Sequence, residues 1–298
     1  MAEAILSQEV KKAIVPVAGL GTRFLPLSKS VPKELWPIVD NPMVYYAVDE
    51  ARRAGIREII FVISTEKKPV MEFFRESLKL EKFLKDNKKN QALEEMKTYY
   101  DRFRDLTFSY VYQKKPLGDG NAVLQAEDKV NGEPCAMLFS DDIIDNDTPC
   151  LTQLLKVFKT CQRTIVAIKE IPDEEIPSYG VFGVEKIANR LYKIKSIIEK
   201  PKIEEAPSNL VHVGRSILVP ETFDYLKRSK TVKGENRLVG AWEEMINDGK
   251  PVYGYEFEGE WLECGNKLAW LKSHLYLALK HPQYGPELKK YLKEIKVF

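Results

Sequence analysis

Ala13-Ile14-Val15-Pro16-Val17-Ala18-Gly19-Leu20-Gly21-Thr22-Arg23 is the stretch that decides the fold. Its first six residues are apolar and end on glycine, which suits a strand buried on both faces of a parallel sheet. Working outward, Asn41-Pro42 predicts a helix start with proline in the first helical position, and Met43 to Val48 leads to a stop at Gly55. Glu58 to Ser64, Thr107 to Tyr112, Pro134 to Phe139 and Thr164 to Ile168 read as further buried strands, with helical stretches between them. Such alternation predicts an α/β fold, a Rossmann-like, mixed but mostly parallel sheet flanked by helices.

Residues 79–105 differ in texture. They are dense in Lys and Glu, lack Gly and Pro, and space Leu80, Phe83, Leu84, Leu93 and Met96 at helical intervals. One or two exposed helices inserted beside the core are expected. Beyond Ile171-Pro172 the pattern turns to strands at Tyr179 to Val184, Leu191 to Ile198 and Leu210 to Val219. Helices follow near Glu221 to Arg228, Leu238 to Asp248, Lys267 to Lys280 and Pro286 to Phe298.

The chain has 298 residues with 46 Lys+Arg against 44 Asp+Glu, a net charge of only +2, which argues against a nucleic-acid partner. Cys135, Cys150, Cys161 and Cys264 show neither a C-x-x-C pair nor a His cluster, so reduced thiols in a cytoplasmic protein are expected. No apolar run approaches the roughly 18 residues of a membrane span, and Pro16, Gly19 and Arg23 break the one stretch that imitates a signal peptide.

Gly19 and Gly21 after a strand, with Arg23 beside them, let backbone N–H groups approach an anion closely. A dinucleotide fingerprint would need glycine at Phe24 and a helix at once, which Pro26 and Pro32 oppose. A Walker loop would need Gly-Lys-Ser/Thr, whereas Gly249-Lys250 is followed by Pro251. What remains is a proline-braced loop, Gly19 to Pro37, carrying Arg23, Lys29 and Lys33, which points to a triphosphate pocket. The competing reading of Lys33 is a surface ion pair with Glu34.

Gly19-x-Gly21-Thr22-Arg23-Phe24-Leu25-Pro26, then Pro32-Lys33-Glu34 and Pro37-Ile38-Val39-Asp40-Asn41-Pro42, resembles the signature of the sugar-1-phosphate nucleotidyltransferases, and within them the bacterial UTP–glucose-1-phosphate uridylyltransferases. The resemblance continues through Gln113 to Gly118, Asp141-Asp142-Ile143, Tyr179-Gly180, Glu199-Lys200-Pro201-Lys202, Ala206 to Leu210 and Gly214-Arg215. It implies that UTP and glucose 1-phosphate give UDP-glucose and pyrophosphate in one domain over 1–298. About 1–170 would bind the nucleotide and about 171–298 the sugar phosphate. It also implies a homodimer or homotetramer.

Such transfer asks for positioning and charge neutralisation. A phosphate monoester with a second pKa of about 6 is already largely dianionic at pH 7, so no general base is needed. His212, His274 and His281 are therefore expected in structural or surface roles. Mg2+ suits the polyphosphate, and Asp141, directly after the buried run Ala136 to Phe139, is placed to ligate it; the alternative is a helix-capping Asp pair. By resemblance Arg23, Lys33 and Lys200 are the catalytic cations. Ala18, Gly19, Gly21, Thr22, Glu34, Gln113, Gly118 and Asp142 line the nucleotide site, and Gly180, Glu199 and Gly214 the sugar site. Glu263 in Glu263-Cys264-Gly265 stands where the family has a second metal-binding aspartate.

Three departures from the family pattern bear on specificity. Asn121 replaces a usual His, Gly234 to Val239 departs from Gly-Glu-x-Gln-Leu-Thr, and Trp36 replaces an aliphatic residue. Two competing expectations follow: the same chemistry with another base or sugar, such as dTTP or CTP, or a catalytically weak UDP-sugar-binding regulator.

Overall fold

The computed structural model describes residues 8–296. In chain order come β1 (Lys12–Pro16), β2 (Pro37–Ile38), β3 (Asn41–Pro42), α1 (Met43–Arg53), β4 (Glu58–Ile63), α2 (Lys68–Phe73), α3 (Leu78–Asp86), α4 (Asn90–Arg102), β5 (Thr107–Tyr112), α5 (Asp119–Gln125), α6 (Glu127–Val130), β6 (Cys135–Leu138), β7 (Asp142–Asp145), α7 (Cys150–Cys161) and β8 (Ile165–Glu170). Then follow β9 (Gly180–Ala188), β10 (Leu191–Glu199), β11 (Leu210–Leu218), α8 (Glu221–Arg228), α9 (Leu238–Asn247), β12 (Tyr253–Glu256), β13 (Glu260–Glu263), α10 (Lys267–Lys280) and α11 (Gly285–Glu294).

Nine strands form one mixed sheet in the order β5-β4-β1-β6-β11-β8-β12-β10-β9. The run β5-β4-β1-β6 is parallel throughout, as the apolar runs of the first half predict. β11 then enters antiparallel to both β6 and β8, so the second half completes the same sheet with mainly antiparallel pairs. Alternation in β1 and β4 explains why both faces are covered. Ala13, Val15, Ile59 and Phe61 enter a core with α1 and α7, while Ile14, Ile60 and Val62 enter a second core with α5, α8 and α9.

Two expectations need adjusting. Asn41-Pro42 does not start the helix as drawn: it pairs as β3 with β2, and Pro42 is the N-cap of α1, its extended backbone (ψ 153°) closing a hairpin before the helix begins at Met43. The strongly charged last helix starts at Gly285 and ends at Glu294, and Phe298 lies outside the described residues. Residues 79–105 do form two helices, α3 and α4, without a fully buried residue in either. They attach through Tyr99 and Phe103, which pack on Phe73, Phe74 and Tyr45.

Strand order reverses between β4 and β6 on either side of β1, so the crevice of an α/β sheet opens at the carboxyl ends of β1 and β6. The glycine loop leaves the first of these ends and Asp141 the second.

Candidate active site

No helix follows β1. The chain instead makes three tight 3-10 turns at Thr22–Phe24, Leu27–Lys29 and Lys33–Leu35, which excludes both the dinucleotide and the Walker geometry. Gly21 adopts φ +65°, and its carbonyl accepts from Phe24 N (2.9 Å) and Ser28 Oγ (2.8 Å), bending the loop back over the sheet. Phe24 is buried edge-on against Trp36 (4.7 Å between centroids), and Trp36 against Trp270 of α10 (5.2 Å). Trp36 thus belongs to an aromatic ladder that clamps the loop onto α10.

Lys33 does not pair with Glu34 at the surface. Its Nζ donates to Asp141 Oδ2 at 2.5 Å, while Glu34, 1% exposed, receives Lys67 Nζ at 2.6 Å. Burial alone would raise the Asp141 carboxyl, but the Lys33 ammonium, with Arg23 behind it, holds it below the usual carboxylate range. Asp141 precedes β7 rather than capping a helix, and its carbonyl accepts Cys264 N at 2.7 Å. That bond and the Asp142–Glu263 register of β7 and β13 bring the two late carboxylates together. A Cβ on Gly265 would lie 3.0 Å from Glu263 Oε1, 3.2 Å from Arg23 Nη1 and 3.8 Å from Asp141 Oδ2, so all three side chains converge on one point. Tyr179 Oη donates to Glu263 Oε2 at 2.9 Å, leaving Oε1 turned inward.

Two cavities meet here. One of about 590 Å³ is walled by Ala18, Gly19, Gly21, Thr22, Lys33 and Glu34, and on its far side by Gln113, Gly118 and Glu199. The other, about 1150 Å³, is lined by Arg23, Asp142, Tyr179, Lys200, Gly214 and Glu263. Phe139 and Asp141 belong to both. Lys200 has φ +50°, and this left-handed turn sends Glu199 and Lys200 into different cavities. Lys29 is exposed and lines neither.

Gln113 Nε2 donates to the Gly118 carbonyl (2.9 Å) and to Asn121 Oδ1 (3.0 Å), so Asn121 occupies a place where it orients the amide. Gly118, at φ +98°, is glycine because a Cβ would fall 2.2 Å from the Asn236 carbonyl oxygen. Gly180 and Gly214 belong to the sugar site by resemblance, where a side chain would collide with the sugar. The near neighbours are the protein's own: a Cβ at Gly180 would lie 3.0 Å from Glu199 Oε2, and one at Gly214 would lie 2.2 Å from Asp142 Oδ2. Asp142, assigned by resemblance to the nucleotide site, lines the larger cavity and not the glycine-loop one, accepts Trp261 Nε1 at 2.7 Å, and has its carboxyl pKa pushed up to about 7 by burial and by the Asp141 charge.

Sequence reasoning gave no role to Arg215 and Glu50. The fully buried guanidinium bonds Glu50 Oε2 (2.9 Å), the carbonyls of Phe139 (2.7 Å) and Gly214 (2.9 Å), and the carbonyl of Asp142 (2.5 Å). It therefore fixes the turn that presents Asp141. An arginine inside a strand whose other residues are buried or nearly so, Leu210 to Leu218, was the available signal. Arg237 was also missed: Nη1 donates to Glu199 Oε1 at 3.0 Å.

Asp141 and Glu263 offer two carboxylates to one point, a donor set that fits a hard divalent ion completing its shell with phosphate oxygens and water. Among the described residues no group of three or more His, Cys, Asp or Glu is arranged to hold a metal.

Residues 12–278 match the family described as nucleotidyl transferase. The chain belongs to this family. The nucleotidyltransferase is 40% identical over 289 residues, 97% of this chain and 99% of the relative, to a UTP--glucose-1-phosphate uridylyltransferase of Staphylococcus haemolyticus. It is 38% identical over 97% of its length to the enzyme of that name from Staphylococcus epidermidis, which it covers fully. Among solved structures it is similar to a UTP-bound UGPase from Acinetobacter baumannii (TM-score 0.89, 34% identity, 96% of this chain and 99% of that one). It is similar also to a UDP-glucose pyrophosphorylase complexed with UDP-glucose (TM-score 0.82, 35% identity, 92% and 100%). No helix among its described residues is long and apolar enough to cross a membrane.

Proposed function

We propose that the protein forms UDP-glucose and pyrophosphate from UTP and glucose 1-phosphate. The observation that carries this reading is the shared wall of the two cavities: Asp141 stands between a glycine-loop cavity sized for a nucleotide and a larger one holding Lys200, Glu263 and Gly214. A sugar phosphate in the second can reach the α-phosphorus of a nucleotide in the first. Its phosphate oxygen forms the new P–O bond while the bond to the β-phosphate breaks and pyrophosphate leaves. Arg23 and Lys33 neutralise the triphosphate, and Lys200 the attacking phosphate. Gln113, its Nε2 spent on Gly118 and Asn121, presents Oε1 to the base, while Glu199, assigned to the sugar by resemblance, stands in the nucleotide cavity beside Arg237.

Asp141 and Glu263 would hold Mg2+, which when bound supplies further charge neutralisation on the phosphates. We place the protein in the cytoplasm, in keeping with four free thiols of which Cys135, Cys150 and Cys264 are buried. A homodimer or homotetramer is supported by exposed leucines on one side of the molecule, Leu268, Leu271 and Leu275 on α10. Light scattering on the eluting protein tests it.

A coupled pyrophosphate assay with Mg2+, four nucleoside triphosphates and several sugar 1-phosphates tests the activity. The expected result is turnover highest with UTP and glucose 1-phosphate. UDP-glucose binding by calorimetry with no turnover under any of these conditions would instead identify a UDP-sugar-binding regulator.

A further inference from the structure

β11 loses its regular pairing at the floor of the larger cavity. His212 registers with Ile168, yet the next pair is Ser216 with Val166, so four steps along β11 span two along β8. His212 and Gly214 both line the cavity there. The His212 ring stands edge-on to Trp242 (5.0 Å between centroids, 81°) and to Phe139 (6.3 Å, 72°), which fixes its plane.

Within that wall Nε2 is buried and has no hydrogen-bond partner. Trp242 Nε1 and Ser216 Oγ are also without partners, but both residues are fully enclosed and neither lines this cavity. An orphaned polar atom carries a desolvation cost that an aliphatic side chain of this strand would avoid, so its retention in a cavity wall calls for a partner that arrives with the ligand. Burial pushes the ring's pKa down to about 4, against a hydrogen bond with the Arg215 backbone, so the imidazole is neutral near pH 7. In either neutral tautomer Nε2 is a single donor or a single acceptor, and a hydroxyl group can answer both. The cavity's cations are Lys200, Lys272 and, at the wall shared with the nucleotide cavity, Arg23; they suit the phosphate end of a ligand, which leaves its polyhydroxyl end for His212, Tyr179 and Trp261.

We infer that His212 is a specificity-determining residue whose Nε2 hydrogen-bonds one ring hydroxyl of the hexose 1-phosphate. The inference rests on the reaction proposed above and adds the side chain that reads the sugar.

The test compares wild type with His212→Val and His212→Asn, using glucose 1-phosphate and its 2-, 3-, 4- and 6-deoxy analogues. His212→Val is expected to lower kcat/KM for glucose 1-phosphate about five- to tenfold through KM, with KM for UTP within about twofold of wild type. For one deoxy analogue the two proteins should converge, because the bond is already missing; His212→Asn should recover part of the loss. In wild-type enzyme labelled with 15N-histidine, saturating glucose 1-phosphate should shift one imidazole resonance, absent from the His212→Asn spectrum. This readout survives a failure of His212→Val to fold. No shift, or a lower Tm with unchanged KM and the same analogue penalties in both proteins, overturns the inference. If wild type makes no sugar nucleotide and binds neither glucose 1-phosphate nor UDP-glucose, the functional reading fails first; turnover without a His212 effect sinks the inference alone.

Discussion

Lys33 and Asp141, 108 residues apart, are joined by a hydrogen bond of 2.5 Å, so the cation and the carboxylate of the centre hold each other before any substrate arrives. A bound triphosphate would draw on both. Lys33→Ala and Asp141→Ala are each expected to lower kcat/KM by about a hundredfold or more, and the double variant little further because the pair acts as a unit. Pyrophosphate release measures this; wild-type turnover by either variant would falsify the shared-centre reading.

Arg215 and Glu50 form a fully enclosed pair that also ties down the carbonyls of Phe139 and Asp142. Breaking such a pair from one side leaves an uncompensated buried charge. Arg215→Met is expected to cost about 3–5 kcal/mol in urea unfolding, and Arg215→Met with Glu50→Leu less than that single change. Protein that still folds should lose activity, because the turn carrying Asp141 loses its anchor.

Gly118 and Gly55 both have positive φ, +98° and +93°, but only Gly118 has backbone in the way, with open space around Gly55. Gly118→Ala should destabilise by about 2 kcal/mol or more and raise KM for UTP, whereas Gly55→Ala should cost about 1 kcal/mol and leave kinetics alone. Equal effects in thermal unfolding would show that the contact with Asn236 does not matter.

His212 links pH to stability. Its folded pKa of about 4 lies below the ordinary value of 6.5, so the unfolded chain binds the proton more tightly. The stabilisation is complete above about pH 6.5 and is lost as pH falls toward 4, by up to about 3 kcal/mol. His212→Val should flatten unfolding free energy across that window; an unchanged slope would place the acid sensitivity elsewhere.

Glu263 tests the metal reading. Glu263→Gln should raise the Mg2+ concentration for half-maximal rate about tenfold or more, and Tyr179→Phe, which frees Glu263 Oε2, should raise it by less. Chelation with EDTA should stop turnover and added Mg2+ restore it. Full activity in EDTA would remove the metal from the mechanism.

The parallel strands were legible because burial on both faces leaves a short apolar run such as Ala13 to Ala18, and the inserted helices because 79–105 keeps a helical period without a breaker. Asp141 could be read from its place after a buried strand, and the glycine loop from its residue types. Glu34 illustrates what was not legible: beside Lys33 in sequence, it turns inward to Lys67, because a 3-10 turn sends neighbouring side chains in different directions. The Arg215–Glu50 pair and the orphaned Nε2 of His212 were equally hidden, since neither burial nor a missing partner is written in local pattern.

Sequence by itself determined most of the local elements, the glycine-rich bend after the first strand and the charged residues available to meet a polyphosphate, for these follow from periodicity, turn chemistry and charge over a few residues. Only the tertiary structure decided which cation meets which carboxylate, where β11 enters the sheet, and that Asp141 faces two cavities at once. Those relations join residues from tens to more than a hundred positions apart, and only the packing of strands and helices sets the distances between them.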